Sequence, residues 1–132
     1  MANVLVVDDD YAIREMCKYF LIDSGHSVET AANGNLALEK LNDFIPDIML
    51  LDISMPLMNG IEFLKNLERL ALKDVRYVGI PFLVFTGEKA SDSNLQYSFQ
   101  KNPNCKTFLA KTTPLETVAA IMKNILKQNN KV

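Results

Sequence analysis

The chain has 132 residues, and its 14 Lys and Arg are scattered among 16 Asp and Glu for a formal net charge of −2, so no basic patch marks a nucleic-acid contact. That length suits a single domain, 1–132 with its core over roughly 3–127, burying roughly two thirds of the surface its unfolded form exposes. No apolar run approaches the ~18 residues of a membrane span, no basic leader precedes the first apolar segment, and Cys17 and Cys105 lie far apart without a CxxC, which argues against a zinc site or disulfide framework and for a soluble protein of a reducing cytoplasm.

Residues 3–7 and 47–51 are continuous apolar runs, the pattern of strands covered on both faces, and each runs into acid: Asp8-Asp9-Asp10 after the first, Asp52 after the second. Between them, Ile13, Met16, Cys17, Phe20 and Leu21 recur at helical spacing, with Asp10 as N-cap and Ser24-Gly25 as the stop. Ser27 to Ala31 reads as a short strand, and Asn33-Gly34 turns into a second helix carrying Ala37, Leu38 and Leu41 that ends before Pro46. After Gly60, the positions Ile61, Leu64, Leu67, Leu70 and Ala71 make a third amphipathic helix. The connection 73–80 is longer than usual, and residues 81–85 make a fourth strand that opens on Pro81. A fourth helix is expected over roughly 91–100, where Leu95 and Phe99 are the whole apolar stripe, followed by a fifth strand over 107–110. The last helix opens at Thr113-Pro114-Leu115-Glu116, which reads as a capping box with proline at its first position.

Strands alternating with helices predict an α/β fold: a doubly wound, flavodoxin-like parallel sheet with right-handed crossovers and strand order 2-1-3-4-5. That order sets the first and third strands side by side, so Asp8, Asp9 and Asp52 converge at their carboxyl ends, with Thr86 and Lys111 ending the fourth and fifth strands on the same edge. Clustered carboxylates repel one another and call for a cation.

Four separated segments carry a family likeness: Val6-Val7-Asp8-Asp9, the run from Leu51-Asp52 through Met55-Pro56 to Asn59-Gly60, Phe85-Thr86-Gly87, and Leu109-Ala110-Lys111. In this order and spacing they resemble the receiver domain of two-component response regulators, over essentially the whole chain. The resemblance implies that Asp52 is the phosphoacceptor and that Asp9, Asp52 and the backbone carbonyl of Ser54 bind Mg2+, with Asp8 assisting through water. Lys111 is then the ammonium that neutralises the transferring group, and Thr86 and the Gly87 N–H receive phosphoryl oxygens. Phe108, three positions before the lysine, is the family's switch aromatic, expected to move inward with Thr86 and remodel the face built by the fourth helix, fifth strand and last helix. The partners implied are a histidine kinase or histidine phosphotransfer protein and a downstream protein target. Whether that face also pairs two copies is left open, as are the kinase, the target and the phosphoryl lifetime.

The sequence departs from the family where Thr112-Thr113 follow Lys111 before Pro114, instead of a proline directly after the lysine. A non-proline cis bond there would cost ~3–4 kcal/mol. Taken singly, Asp52 is a turn aspartate and Lys111 a surface lysine, and their joint placement favours the functional reading; Asp10 is an N-cap only, and Thr86 and Phe108, ordinary strand threonine and plain core by themselves, gain a role through the family resemblance alone. His26 reads as a surface loop residue and Cys105 as a loop thiol. A signalling protein that is not an enzyme in the usual sense is therefore expected, the alternative being a degenerate receiver that binds partners without phosphorylation. A phosphohydrolase with an aspartate nucleophile ranks last, because Asp52-Ile53-Ser54 lacks the second acid of haloacid dehalogenase-like proteins.

Overall fold

Apolar runs without alternation become strands buried on both faces, and the computed structural model, which describes residues 2–52, 60–87 and 99–129, shows this directly. In chain order the elements are β1 (Asn3–Val7), α1 (Tyr11–Asp23), β2 (Ser27–Ala31), α2 (Gly34–Lys40), β3 (Ile48–Leu51), α3 (Gly60–Lys73), a 3-10 turn (Val75–Tyr77), β4 (Phe82–Thr86), β5 (Cys105–Ala110) and α4 (Leu115–Gln128). The strands form one parallel sheet in the order β2-β1-β3-β4-β5, as the alternation predicts. Most of the predicted fourth helix lies outside the described residues; its last two, Phe99 and Gln100, are helical. Among the described residues no helix is long and apolar enough to cross a membrane.

The sheet divides the core into two layers. Leu5, Val7, Met49, Leu51, Phe82 and Val84 face one way, against Ala37 and Leu41 from the α2 region and Phe63 and Leu67 from α3. Their strand neighbours Val4, Val6, Ile48, Leu50, Leu83 and Phe85 face Cys17 and Leu21 of α1 and Val118, Met122, Ile125 and Leu126 of α4. Period-two alternation within each strand thus feeds two helical layers at once. Both thiols are free, and burial pushes each of them up to about 11, which leaves them protonated and unreactive at neutral pH.

Local signals explain both ends of α1 and the start of α2. Asp10 Oδ1 accepts the N–H groups of Ala12 and Ile13 at 2.9 and 3.4 Å, and Asn33 Oδ1 accepts that of Leu36 at 2.9 Å, satisfying donors at the starts of α1 and α2. Gly25, after the Ser24 cap of α1, takes φ 100°, a conformation that other residues adopt at a steric penalty.

Four expectations are corrected. The last helix does not start with a capping box: it is capped by Pro114, held extended at ψ 140°, and no side chain bonds to the cap. The Pro114 carbonyl accepts from Thr117 and Val118, while the Thr113 N–H is already donated to Ala110 in a turn. Cys105 is the first residue of β5 rather than a loop residue, and β5 is two residues longer than expected. Met16 is exposed although it falls in the apolar spacing of α1: Cys17 and Leu21 are buried and Ile13 and Phe20 pack half-buried against the same core, while Met16 stays outside it. His26 is half-buried, with Nδ1 accepting the Ala2 N–H at 3.3 Å, and burial lowers its pKa.

The long 73–80 connection has a structural purpose. Its 3-10 turn drives Tyr77 into the core, where the hydroxyl donates to the Leu41 carbonyl at 2.7 Å. Tyr77→Phe strands that carbonyl, and urea unfolding should show a loss of about 1–2 kcal/mol with an unchanged slope.

Candidate functional site

The site is assembled by backbone pairing that continues one residue past the strands. Val7 pairs with Leu51 across β1 and β3, and the Asp52 N–H then donates to the Val7 carbonyl at 2.9 Å. On the other side of β1 the Asp8 N–H donates to Ala31 at 3.0 Å. Asp8 and Asp52 are therefore fixed side by side at the carboxyl edge of the sheet, 2 % and 3 % exposed. Asp9, one residue on, is exposed, and oxygens of Asp8, Asp9 and Asp52 come within 4.8 Å of one another.

Lys111 reaches this group from the far side of β4. Its own N–H donates to the Thr86 carbonyl at 3.1 Å, which ties the ends of β4 and β5 together. Its ammonium lies 2.9 and 3.1 Å from the two carboxylate oxygens of Asp8 and 3.2 Å from Asp52 Oδ2. Thr86, 1 % exposed, ends β4 beneath that bridge. Gly87 follows it and is exposed; a Cβ there would meet the Lys111 stem at 3.7 Å, an ordinary contact. Phe108 lies on the α2–α3 side of β5 and meets Phe99 edge to face at 5.9 Å, and Phe99 in turn meets Phe82 at 6.4 Å. Ser54 lies outside the described residues, and no cis bond occurs among them, so the peptide after Lys111 is trans.

Electrostatics sharpen the picture. Burial pushes the Asp8 carboxyl above the usual carboxylate range and the Asp52 charge adds to this; the Asp10 N–H and the Lys111 ammonium oppose it without cancelling it. Burial alone would lower Lys111, but its hydrogen bond to Asp8 and the charges of Asp52 and Asp8 outweigh that and raise it. Lys111 therefore stays cationic at neutral pH. Three carboxylates against one ammonium leave a negative excess, and the donors are all hard oxygens, the set that suits a small divalent cation such as Mg2+.

Sequence reasoning missed one residue at this edge. Arg14, one turn into α1, donates from Nη1 to the Asp8 carbonyl at 2.8 Å. Its position four residues after Asp10 is the available signal, because that spacing turns a helical side chain back toward the preceding loop.

Residues 4–128 match the model of the response regulator receiver domain. Among curated proteins, the chain is 32% identical over 125 residues to the response regulator Rre1 of a Synechocystis species, covering 94% of this chain and 51% of that protein. It is 34% identical over 128 residues to the response regulator MprA of Mycolicibacterium vanbaalenii, covering 96% and 51%. The chain thus spans about half the length of the curated relatives it matches. Among solved structures, the chemotaxis response regulator CheY4 of Vibrio cholerae superposes with a TM-score of 0.80 at 32% identity, covering 96% of this chain and 99% of that one. A CheY-like receiver domain protein from Methanospirillum hungatei gives 0.80 at 27% identity, with 99% and 98% covered. With strand order, converging acids and relatives all in agreement, this chain belongs to the response regulator receiver domain family of two-component signalling.

Proposed function

We propose that the chain is a magnesium-dependent phosphoacceptor switch in which Asp52 takes a phosphoryl group from a phosphohistidine of a histidine kinase or phosphotransfer protein, or from a small phosphodonor. The observation that carries this reading is the Lys111 ammonium, held within 3.2 Å of both Asp8 and Asp52 where the strands end. Asp9, Asp52 and the Ser54 carbonyl would hold Mg2+, with Asp8 reached through water; bound there, the ion supplies neutralisation of charge on the phosphoryl oxygens. An Asp52 oxygen forms the new P–O bond as the bond from phosphorus to the donor breaks, and the displaced donor leaves with its electron pair. Lys111 stabilises the oxygens in flight, and the Thr86 hydroxyl and Gly87 N–H receive them afterwards. Phe108 then follows Thr86 inward, leaving its contact with Phe99 and altering the surface read by a downstream protein. The protein supplies the site and is itself the substrate, as a signalling component of the cytoplasm.

Intact mass after acetyl phosphate treatment, with magnesium and with chelator, tests the proposal under conditions that protect acyl phosphates. A single phosphoryl adduct requiring magnesium is expected. No adduct, together with no beryllofluoride binding, would overturn it in favour of an interaction module that works without phosphorylation. The switch has its own check: Phe108 should change rotamer between the free and beryllofluoride-bound protein.

A further inference from the structure

We infer that Arg14 is a positioning residue for the acidic crevice, fixing the peptide between Asp8 and Asp9 and thereby the carboxylates that receive the cation; this rests on the phosphoacceptor reading above. Besides its ion pair with Lys111, Asp8 is held at three points. Its N–H donates to Ala31 at 3.0 Å, its Oδ1 accepts the Asp10 N–H at 2.9 Å, and its carbonyl accepts Arg14 Nη1 at 2.8 Å. The last of these belongs to the peptide that begins Asp9, so any rotation of that peptide swings the Asp9 Cα–Cβ bond. Asp9 is exposed, and its aim depends on that backbone.

Arg14 is itself held from two sides. Its N–H donates to the Asp10 carbonyl at 3.0 Å, and its guanidinium lies over the Tyr11 ring at 5.6 Å from the centroid. The guanidinium stays charged at any working pH, and it spends its hydrogen bond on a carbonyl rather than on a carboxylate. It thus adds positive charge behind the crevice without occupying a metal-ligand oxygen, whereas Lys111 occupies oxygens of both Asp8 and Asp52. Tyr11, 67% exposed, thus offers its ring as the second contact that holds the guanidinium in place.

The test is a Mg2+ titration of the whole chain followed by amide NMR shifts, alongside phosphoryl uptake from acetyl phosphate as a function of magnesium and thermal melting in chelator. Arg14→Ala should weaken Mg2+ binding about tenfold, the lower end for loss of a group that orients a ligand. The magnesium needed for half-maximal uptake should rise in parallel, with the plateau rate retained. Arg14→Lys should recover most of the affinity, and Tyr11→Leu should lose about threefold. A merely structural role would lower the melting midpoint and leave the magnesium dependence where it was, which overturns the inference. If Arg14→Ala does not fold, Tyr11→Leu decides: weakened Mg2+ binding supports the assignment and unchanged binding overturns it. A wild-type chain that binds no Mg2+ and takes no phosphoryl group instead overturns the phosphoacceptor reading itself.

Discussion

Asp52→Asn is expected to abolish the phosphoryl adduct while leaving the fold intact. The amide has the shape of the carboxylate but no nucleophilic anion, so the P–O bond cannot form. Its carbonyl oxygen can still accept from Lys111, now 3.2 Å from Asp52 Oδ2, so the ammonium keeps an acceptor there as well as at Asp8. Removing one of three crowded carboxylates also relieves repulsion, which offsets the weaker hydrogen bond; the net change in stability should stay within about 1 kcal/mol. Intact mass and urea unfolding on the same preparation check both halves. A phosphoryl adduct persisting in Asp52→Asn would mean that another residue is the acceptor, and an unfolded variant would mean that Asp52 is principally structural.

Lys111→Met should damage both chemistry and stability. The methionine keeps much of the apolar stem that lies beside Gly87 but removes the ammonium between Asp8 and Asp52. Without that charge, phosphoryl uptake should fall by about 10²–10³-fold, the usual effect of losing one donor to developing negative charge. In chelator at neutral pH the fold should lose about 2–3 kcal/mol, less than the ~3–5 of a fully enclosed pair, because the Lys111 side chain is 19% exposed and solvent screens it.

The pH dependence follows from Asp8, whose folded pKa already lies above its ordinary 3.8 and should climb further without the ammonium. A carboxyl raised on folding contributes stability when protonated and loses it as pH rises through the folded value. The deficit of Lys111→Met should therefore be largest at neutral pH and shrink on acidification toward 3.8. Lys111 has the same sign in a higher window: its raised pKa contributes stability below 10.5 that is lost as pH rises through the folded value. Added magnesium should restore part of the variant's stability by replacing the missing cation. Equal unfolding midpoints for the variant and wild type in chelator would show that the ion pairs contribute nothing.

What the sequence discloses here is local. An apolar run ending in acid states both that a strand is buried and where its carboxyl end lies, which is why β1, β3, Asp8 and Asp52 are legible in advance. Asp10 is readable as a cap because its partners lie two and three residues away, and the Asn33-Gly34 turn, which marks the start of α2, proves to be a cap of the same local kind. Tyr77 is not readable in this way, since its hydroxyl meets a carbonyl 36 positions distant. Arg14 escapes for a related reason: its spacing from Asp10 turns it back toward the loop, but the partner it meets there is a main-chain carbonyl, which leaves no mark in a sequence. The Thr113-Pro114 start misleads because the same residues suit a cap one position later, a choice made by the turn tying Thr113 to Ala110. Met16 shows that helical spacing selects a stripe, while packing against β-strands selects how wide it is.

The start of β5 was hidden by an irregularity in its ladder. Phe82 pairs with Cys105, yet Leu83 pairs with Thr107, so Lys106 stands outside the ladder. Regular alternation back from Phe108 would have turned Lys106 into the α2–α3 core; the extra residue leaves it exposed and keeps Cys105 and Phe108 on the same side. The strand therefore carries slack at its amino end. Shortening the chain by Lys106 would close the ladder with Phe108 still beside Val84. Variation in length before Thr107 can be absorbed there, whereas one residue gained between Phe108 and Lys111 would turn the ammonium away from the acids. The phase of this strand is buffered on the side facing the loop and unforgiving on the side facing the chemistry.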